Sequence, residues 1–519
     1  MRKLCANCCT VKALILLTAA LLVLLTGVLV LSFVGIPRII NHELALSMRL
    51  DKHTDQWERF VNLPIPIVTK VYLFTVANPA AILEGAKPIV VEKGPYVYKQ
   101  KLTKKILRTD ESDDSVTYEK YSSVNFDQEL SGQNRVNDTV TVLNPALLVL
   151  TQITSPLEQL AATGCLDKLF LPEYNKLFIE TTVETLMFKG FPFANSTEEM
   201  GYACNIIRNQ VIEKTKIMKN VQFIMNKDFD MVQLLRFSYL GFKINQPDGV
   251  YTVNRGIKDI SQLGTIMKWN HSSEVPFWGR LQSTNNETCK RVGGTDSTIY
   301  APFVKKTDVL EIFSTDICRT VNIYYTGEGS YKGLKGYVFE PKNTTFYSSI
   351  IPKEEDCFCT QKTLYYNGQK SCYLDGILDV YDCFGAPLIL SFPHFLYAEK
   401  YLDAVENLTK PDKDKHGIYL LIEPNTGVPL QGKKRVQLNQ ILRPIKHMAF
   451  AANLPQTIIP LLWIDEGAEL NDDLIDMLNS KFFNVVKLTS GVKYGLIAVS
   501  AAGVLVAGGF LYRKKVLKW

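Results

Sequence analysis

Two uncharged apolar stretches, one near each end, limit what this chain can become. Ala13 to Val34 (ALILLTAALLVLLTGVLVLSFV) runs 22 residues without a charge, about 33 Å of helix at ~1.5 Å per residue, enough to cross a bilayer. Tyr494 to Tyr512 (YGLIAVSAAGVLVAGGFLY) is a second such run of 19 residues, closed by Arg513, Lys514 and Lys515. A cleaved signal peptide would have a shorter apolar core and a small-x-small site. The first run instead continues into Gly35-Ile36-Pro37, so a retained span is expected. Arg2, Lys3 and Lys12 precede the first span, and Arg513, Lys514, Lys515 and Lys518 follow the second. The positive-inside rule then places both tails in the cytosol.

The expected organisation is a cytosolic tail (1–12), a span (13–34), an ectodomain (35–493), a span (494–512) and a cytosolic tail (513–519). The tails hold seven positive charges and the whole chain is formally +6, so everything between them nets to −1. The basic excess marks topology and offers no basic face for nucleic acid. About 455 residues between the spans are enough to bury a substantial core. Six N-x-S/T acceptors, at Asn137, Asn195, Asn270, Asn286, Asn343 and Asn407, all fall in this stretch, as an extracellular or luminal segment predicts.

Six of the eleven cysteines, Cys289, Cys318, Cys357, Cys359, Cys372 and Cys383, cluster in the ectodomain. Spacing alone is compatible with a zinc site or with disulfides. An oxidising compartment favours paired sulfurs, and the segment 289–383 offers neither a histidine nor a C-x-x-C knuckle. No metal or cofactor is therefore expected. Counting leaves 15 connectivities open for six cysteines. Cys165 and Cys204 make a further pair, while Cys5, Cys8 and Cys9 lie beside a span on the cytosolic side, where S-palmitoylation is the expected chemistry.

Strand-like runs recur between turn signals: KVYLFTV (70–76), KPIVVEKGPYVYKQ (87–100), SVTYEKYSSVNF (115–126), GVYTVNRG (249–256) and GIYLLIEP (417–424). Asp248-Gly249 and Asn425-Thr426-Gly427 supply turn residues. The pattern predicts a mainly antiparallel β ectodomain, a single compact one rather than two. It is interrupted by a helical cap over about 143–235: Asn144 caps and Pro145 opens a first helix, Ser155, Pro156 and Glu158 start a second, and Gly164 ends it. Further helices are expected over Glu173–Lys189 and Glu198–Asn220.

The motifs NPAAILEGAKPIVVEKGPYVY (78–98), GTDSTIYAPF (294–303), FSTDICR (313–319), CFC (357–359) and SFPHFLYAEKYL (391–402) resemble those of the class B scavenger receptors, the family of the fatty acid translocase and the lysosomal integral membrane protein. The stretch 237–270 and an insertion bearing Cys204 look most like the sensory neuron membrane proteins. The resemblance implies the pairings Cys289–Cys357, Cys318–Cys383 and Cys359–Cys372. It also implies a barrel-like antiparallel ectodomain with an internal hydrophobic tunnel and a helical apex, anchored by two transmembrane helices.

The function expected from that resemblance is a cell-surface receptor that captures fatty acids, lipids or lipid-derived pheromones at the apex and passes them toward the membrane or a chemosensory receptor, with lipid-carrier proteins as further partners. The alternative is a lysosomal or adhesion receptor that binds a protein or lipoprotein through the apex. The tail YRKKVLKW lacks an acidic residue ahead of a dileucine-type pair, which favours the plasma membrane. At the entrance, Lys168, Lys176 and Lys189 are candidates to attract an anionic head group, and Phe170, Phe178 and Phe188 to receive the chain. The bland reading makes the phenylalanines core and the lysines a solvated face. No GxSxG, HExxH or P-loop is present, so an enzyme is not expected; His394, inside an apolar run, reads as a hydrogen-bonded structural residue. Ala498/Ala502 and Gly503/Ala507 are small residues spaced for helix association and hence for a homo-oligomer.

Overall fold

The computed structural model describes residues 2–153, 156–194, 200–225, 232–244, 246–279, 286–347, 353–359 and 376–516. The chain divides into two units, Met1–Arg49 with Leu470–Trp519, and Leu50–Glu469.

The first unit is built from the two chain ends. Lys12–Met48 and Asp472–Lys514 are each long and apolar enough to cross a membrane. Both helices continue beyond the apolar runs read from the sequence, and a π-turn over Leu31–Gly35 ends where Pro37 removes a backbone donor. The two helices pack on one another. Gly503 lies against Leu21, close enough that an added Cβ would sit 3.6 Å from its side chain, and Lys493 Nζ lies 3.9 Å over the Phe33 ring. Gly503 and the buried Ala507 thus serve packing within the chain, a use of the small-residue face that needs no second copy.

The second unit is organised by a 13-stranded antiparallel sheet. Its strands are β1 (Ile67–Val76), β2 (Val90–Asp110), β3 (Ser115–Phe126), β9 (Val250–Asn254), β10 (Ile266–Trp269), β11 (Val309–Ser314), β12 (Arg319–Tyr331), β13 (Leu334–Pro341), β14 (Leu378–Asp379), β15 (Ile389–Ser391), β16 (Tyr419–Ile422), β17 (Pro429–Leu442) and β18 (Thr457–Glu469). The remaining strands are β4 (Thr139–Leu143), β5 (Phe178–Thr182), β6 (Phe191–Phe193), β7 (Val221–Met225) and β8 (Val232–Phe237). Neighbours in the sheet run β10-β9-β3-β2-β1-β18-β17-β16-β13-β12-β11, with β15 paired to β17 and β14 to β15. All five strand runs read from the sequence are strands here, and Gly427, at φ 71°, completes the turn between β16 and β17.

Register shifts between Val71 and Leu73 and between Ile106 and Arg108 mark bulges that bend β1 and β2. The curved sheet is then nearly closed by one short segment. Ile266 N–H on the β10 edge donates to the Gly294 carbonyl (2.7 Å), while the Thr295 N–H donates to the Glu311 carbonyl on the β11 edge and the Thr295 carbonyl accepts from Phe313 N–H, each at 2.9 Å. Two edges that would expose unpaired donors and acceptors are so stitched together. Gly294 has φ 71°, and a Cβ there would come within 2.2 Å of the Glu311 carbonyl oxygen, so the stitch requires glycine.

The cap region is mixed rather than helical. Helices Pro145–Ile153, Pro156–Thr163 and Tyr202–Thr215 are present, but the expected helix over Glu173–Lys189 is replaced by β5 and a π-turn at Thr185–Lys189. The run Phe178-Ile179-Glu180-Thr181-Thr182 is rich in β-branched residues, and it pairs with Thr139–Leu143, another such run, placing Val142 opposite Ile179. A second small sheet, β6-β8-β7, completes the cap. Asn144 is fully buried, caps the first helix through Leu147 N–H (3.1 Å) and donates to the Tyr174 (2.7 Å) and Lys176 (3.1 Å) carbonyls. Ser155 of the second expected cap lies outside the described residues.

Three disulfides are formed among the described residues: Cys165–Cys204, Cys289–Cys357 and Cys318–Cys383, with Cα–Cα separations of 5.4, 6.1 and 5.9 Å. Cys359 is also disulfide-bonded; Cys372 lies outside the described residues. Cys5, Cys8 and Cys9 fall on the first helix.

Candidate functional site

Within the cap, the helix Tyr202–Thr215 and strands β6–β8 enclose an apolar cavity of about 10 Å³, room for roughly one water-sized sphere. Leu150, Leu169, Phe170, Phe193, Met218 and Phe237 are among its walls. Of the three phenylalanines read from the sequence, Phe170 reaches this cavity, stacked on Phe193 at 5.9 Å. Phe178 is buried in β5, and Phe188 packs edge-on against Tyr98 (4.8 Å). Lys176 and Lys189 are exposed, Lys189 bonded to Glu184 at 2.8 Å, and Lys168 is half-buried. The expected grouping of lysines around one aromatic entrance is thus reduced to Phe170 and its apolar surroundings.

Below this in the chain's logic stands a feature that sequence reading missed, a belt of ion pairs on the inner face of the sheet. Lys434 on β17 lies 2.5 Å from Asp316 and also pairs with Glu466 on β18. Lys243 reaches the same two acids at 2.6 and 4.0 Å. Gln100 on β2 bonds Thr69 (2.5 Å), Glu466 (3.3 Å) and Ser122 of β3 (3.0 Å). Asp248 accepts from Thr315 (2.7 Å) and Tyr251 (3.0 Å) and pairs with Lys120 (3.0 Å). Lys104 pairs with Asp296 (3.2 Å), which also accepts from the Tyr118 hydroxyl (3.2 Å). These groups come from the consecutive neighbours β3, β2, β1, β18 and β17 and from the turns next to β9 and β11. Asp316, next to the edge strand β11, meets Lys434 although four steps of the sheet order separate their strands.

Burial alone would push the acids up and the lysines down; it prevails at Lys104, whose pKa is lowered despite Asp296, but around Asp316 and Asp248 the pairs outweigh it. Asp316 is held well below the usual carboxylate range by Lys243 and Lys434, and Asp248 is lowered chiefly by Lys120. Lys434 and Lys243 are raised, each mainly by Asp316 and then Glu466. The side chains of Asp316 and Lys434 nonetheless keep 28% and 38% of their surface exposed, so solvent reaches the belt. Where the resemblance implied an apolar lining, the inner face therefore also carries charge. Its members are scattered from residue 69 to residue 466, and only the inward alternation of Tyr118, Lys120 and Ser122 on β3 could have hinted at it.

Elsewhere in this unit, His394 is buried and fully partnered. Its Nε2 lies 2.7 Å from Glu92, and its Nδ1 approaches the Thr409 carbonyl (3.0 Å) and hydroxyl (2.9 Å). Glu92 also accepts from Trp463 Nε1 (3.2 Å). This is the structural role read for His394 from the sequence.

The CD36 family model matches residues 18–511. The chain belongs to the CD36 family. Sensory neuron membrane protein 2 of Anopheles gambiae is 33% identical, the alignment covering 92% of this chain and 89% of that relative. Sensory neuron membrane protein 2 of Aedes aegypti is 32% identical over 89% and 92%, and sensory neuron membrane protein 1 of Manduca sexta 29% over 95% and 89%. Members of the CD36 family are receptors rather than enzymes. With its two apolar terminal helices, this CD36-family chain is a two-pass plasma-membrane protein of scavenger-receptor type.

Proposed function

We propose that this receptor captures hydrophobic ligands, such as fatty acids, lipids or lipid-derived pheromones, in the cap and passes them through the inside of the barrel toward the membrane. The observation that carries the reading is the apolar cavity walled by Leu150, Phe170, Phe193, Met218 and Phe237. Each methylene moved from water to such walls gains about 0.8 kcal/mol, so a long chain has a strong reason to enter even if side chains must part to admit it. The names of its relatives support a place in chemosensory membranes, handing ligand to a receptor complex. Both tails lie in the cytosol on this reading, and Cys5, Cys8 and Cys9 are palmitoylated.

The acceptors Asn137, Asn270, Asn343 and Asn407 are exposed and would carry glycans; Asn195 lies outside the described residues, and Asn286 opens a short helix.

The test is mass spectrometry of lipids that co-purify with the full chain. Wild type should carry lipid, and Ala146→Trp, which fills the cavity from its wall, should carry several-fold less. A wild-type protein no richer in lipid than an equally purified, unrelated membrane protein would end the proposal.

A further inference from the structure

Five lysines and four carboxylates meet in the belt. Lys104, Lys120, Lys243 and Lys434 each have an acid within 3.2 Å. Lys219 does not. Its ammonium, brought in from the end of the cap helix, approaches the Thr315 carbonyl at 3.3 Å and the Cys318 sulfur at 3.5 Å. The rings of Phe277 and Phe384 lie 5.8 and 5.5 Å away. Among the described residues it forms no ion pair. Thr315, whose carbonyl faces Lys219, spends its hydroxyl on Asp248, and the next residue, Asp316, is already shared between two lysines. The belt therefore carries one positive charge more than its own acids neutralise, and that charge sits at its cap end, next to two aromatic rings.

We propose that Lys219 is a specificity-determining residue, the docking point for the single negative charge of an amphiphilic ligand whose chain lies against apolar side chains. The inference rests on the lipid-receptor reading above and adds to it the residue that reads the ligand's head group. A half-buried cation with only a carbonyl, a sulfur and ring faces for company is poorly compensated. A carboxylate from outside supplies the missing partner, a charge-assisted contact that an alcohol of equal length cannot match. Burial lowers the Lys219 ammonium's pKa, and an arriving anion reverses that. The apolar cavity beside Met218 cannot discriminate in this way, since its walls offer no charge.

The experiment measures binding of hexadecanoate and of hexadecan-1-ol to the purified full chain at neutral pH. Wild type should favour the carboxylate by about tenfold or more, the worth of one charge-assisted bond. Lys219→Gln should bring the two affinities together while hexadecan-1-ol still binds, Lys219→Arg should restore the preference, and Lys335→Gln, on the exposed surface of β13, should leave it as in wild type. A preference unchanged in Lys219→Gln overturns the assignment of Lys219. Failure of wild type to bind either compound instead overturns the lipid-receptor reading itself.

Discussion

The imidazole rings of His394 and His416 lie stacked, 4.3 Å between centroids and 11° from parallel, with Trp463 edge-on to both. Burial, and after it the neighbouring His394, lowers the His416 pKa from 6.5 to about 4. A histidine harder to protonate in the folded state than in the unfolded one contributes stability above pH 6.5, and that contribution is lost as pH falls toward 4. Stability to denaturant should therefore decline over this window, by at most about 1.4 kcal/mol per pH unit from this one proton. His416→Gln should flatten the slope. A slope identical in the variant would assign the decline to other groups.

Replacing Gly294 with alanine should break the stitch between β10 and β11. The new Cβ meets a carbonyl at 2.2 Å in a left-handed conformation, and neither backbone can yield without losing a hydrogen bond. A loss of about 3 kcal/mol or more, or failure to leave the endoplasmic reticulum, is expected. Hydrogen exchange should show the amides of Ile266 and Phe313 losing protection first.

Arg208 holds the cap together from the inside. Its guanidinium donates to the Ala194 carbonyl (2.9 Å), the Gln233 carbonyl (3.1 Å) and the Val232 carbonyl, joining the helix Tyr202–Thr215 to β8 and to the end of β6. Arg208→Met removes the donor from the buried Ala194 carbonyl and from two part-buried carbonyls and should cost about 2 kcal/mol. Arg208→Lys should recover little, because an ammonium cannot reproduce the fork. Thermal melts of the three proteins decide this.

The Cys165–Cys204 bond closes a loop with a sequence separation of 39. Loop-closure entropy gives such a bridge about 4 kcal/mol. The Cys165→Ser/Cys204→Ser double variant should melt earlier, and limited proteolysis should cut within the cap before the barrel. Equal cleavage in both regions would contradict a cap-specific role.

Much of the barrel was legible because its strands announce themselves locally. KVYLFTV and SVTYEKYSSVNF alternate with the pleat, and the turn at Asn425–Gly427 needs a residue that tolerates positive φ. His394 was legible for the same reason, as a polar residue in an apolar run that had to find a partner. The segment Glu173–Lys189 was misread because helical spacing of its apolar residues competes with the β-branched run at 178–183, and pairing with β4, forty residues earlier, settles the matter. The belt was invisible for a different reason. Lys104, Lys219, Lys243 and Lys434 look like ordinary surface lysines along the chain, and only closure of the sheet turns them inward.

The contact between Leu21 and Gly503 joins helices that ribosomes produce far apart in time. The helix ending at Met48 must stay in the bilayer without its mate until more than four hundred further residues have been made. Its bare flank is a natural perch for insertion chaperones during biogenesis, and truncated chains would keep that flank on show, a ready tag for quality-control proteases.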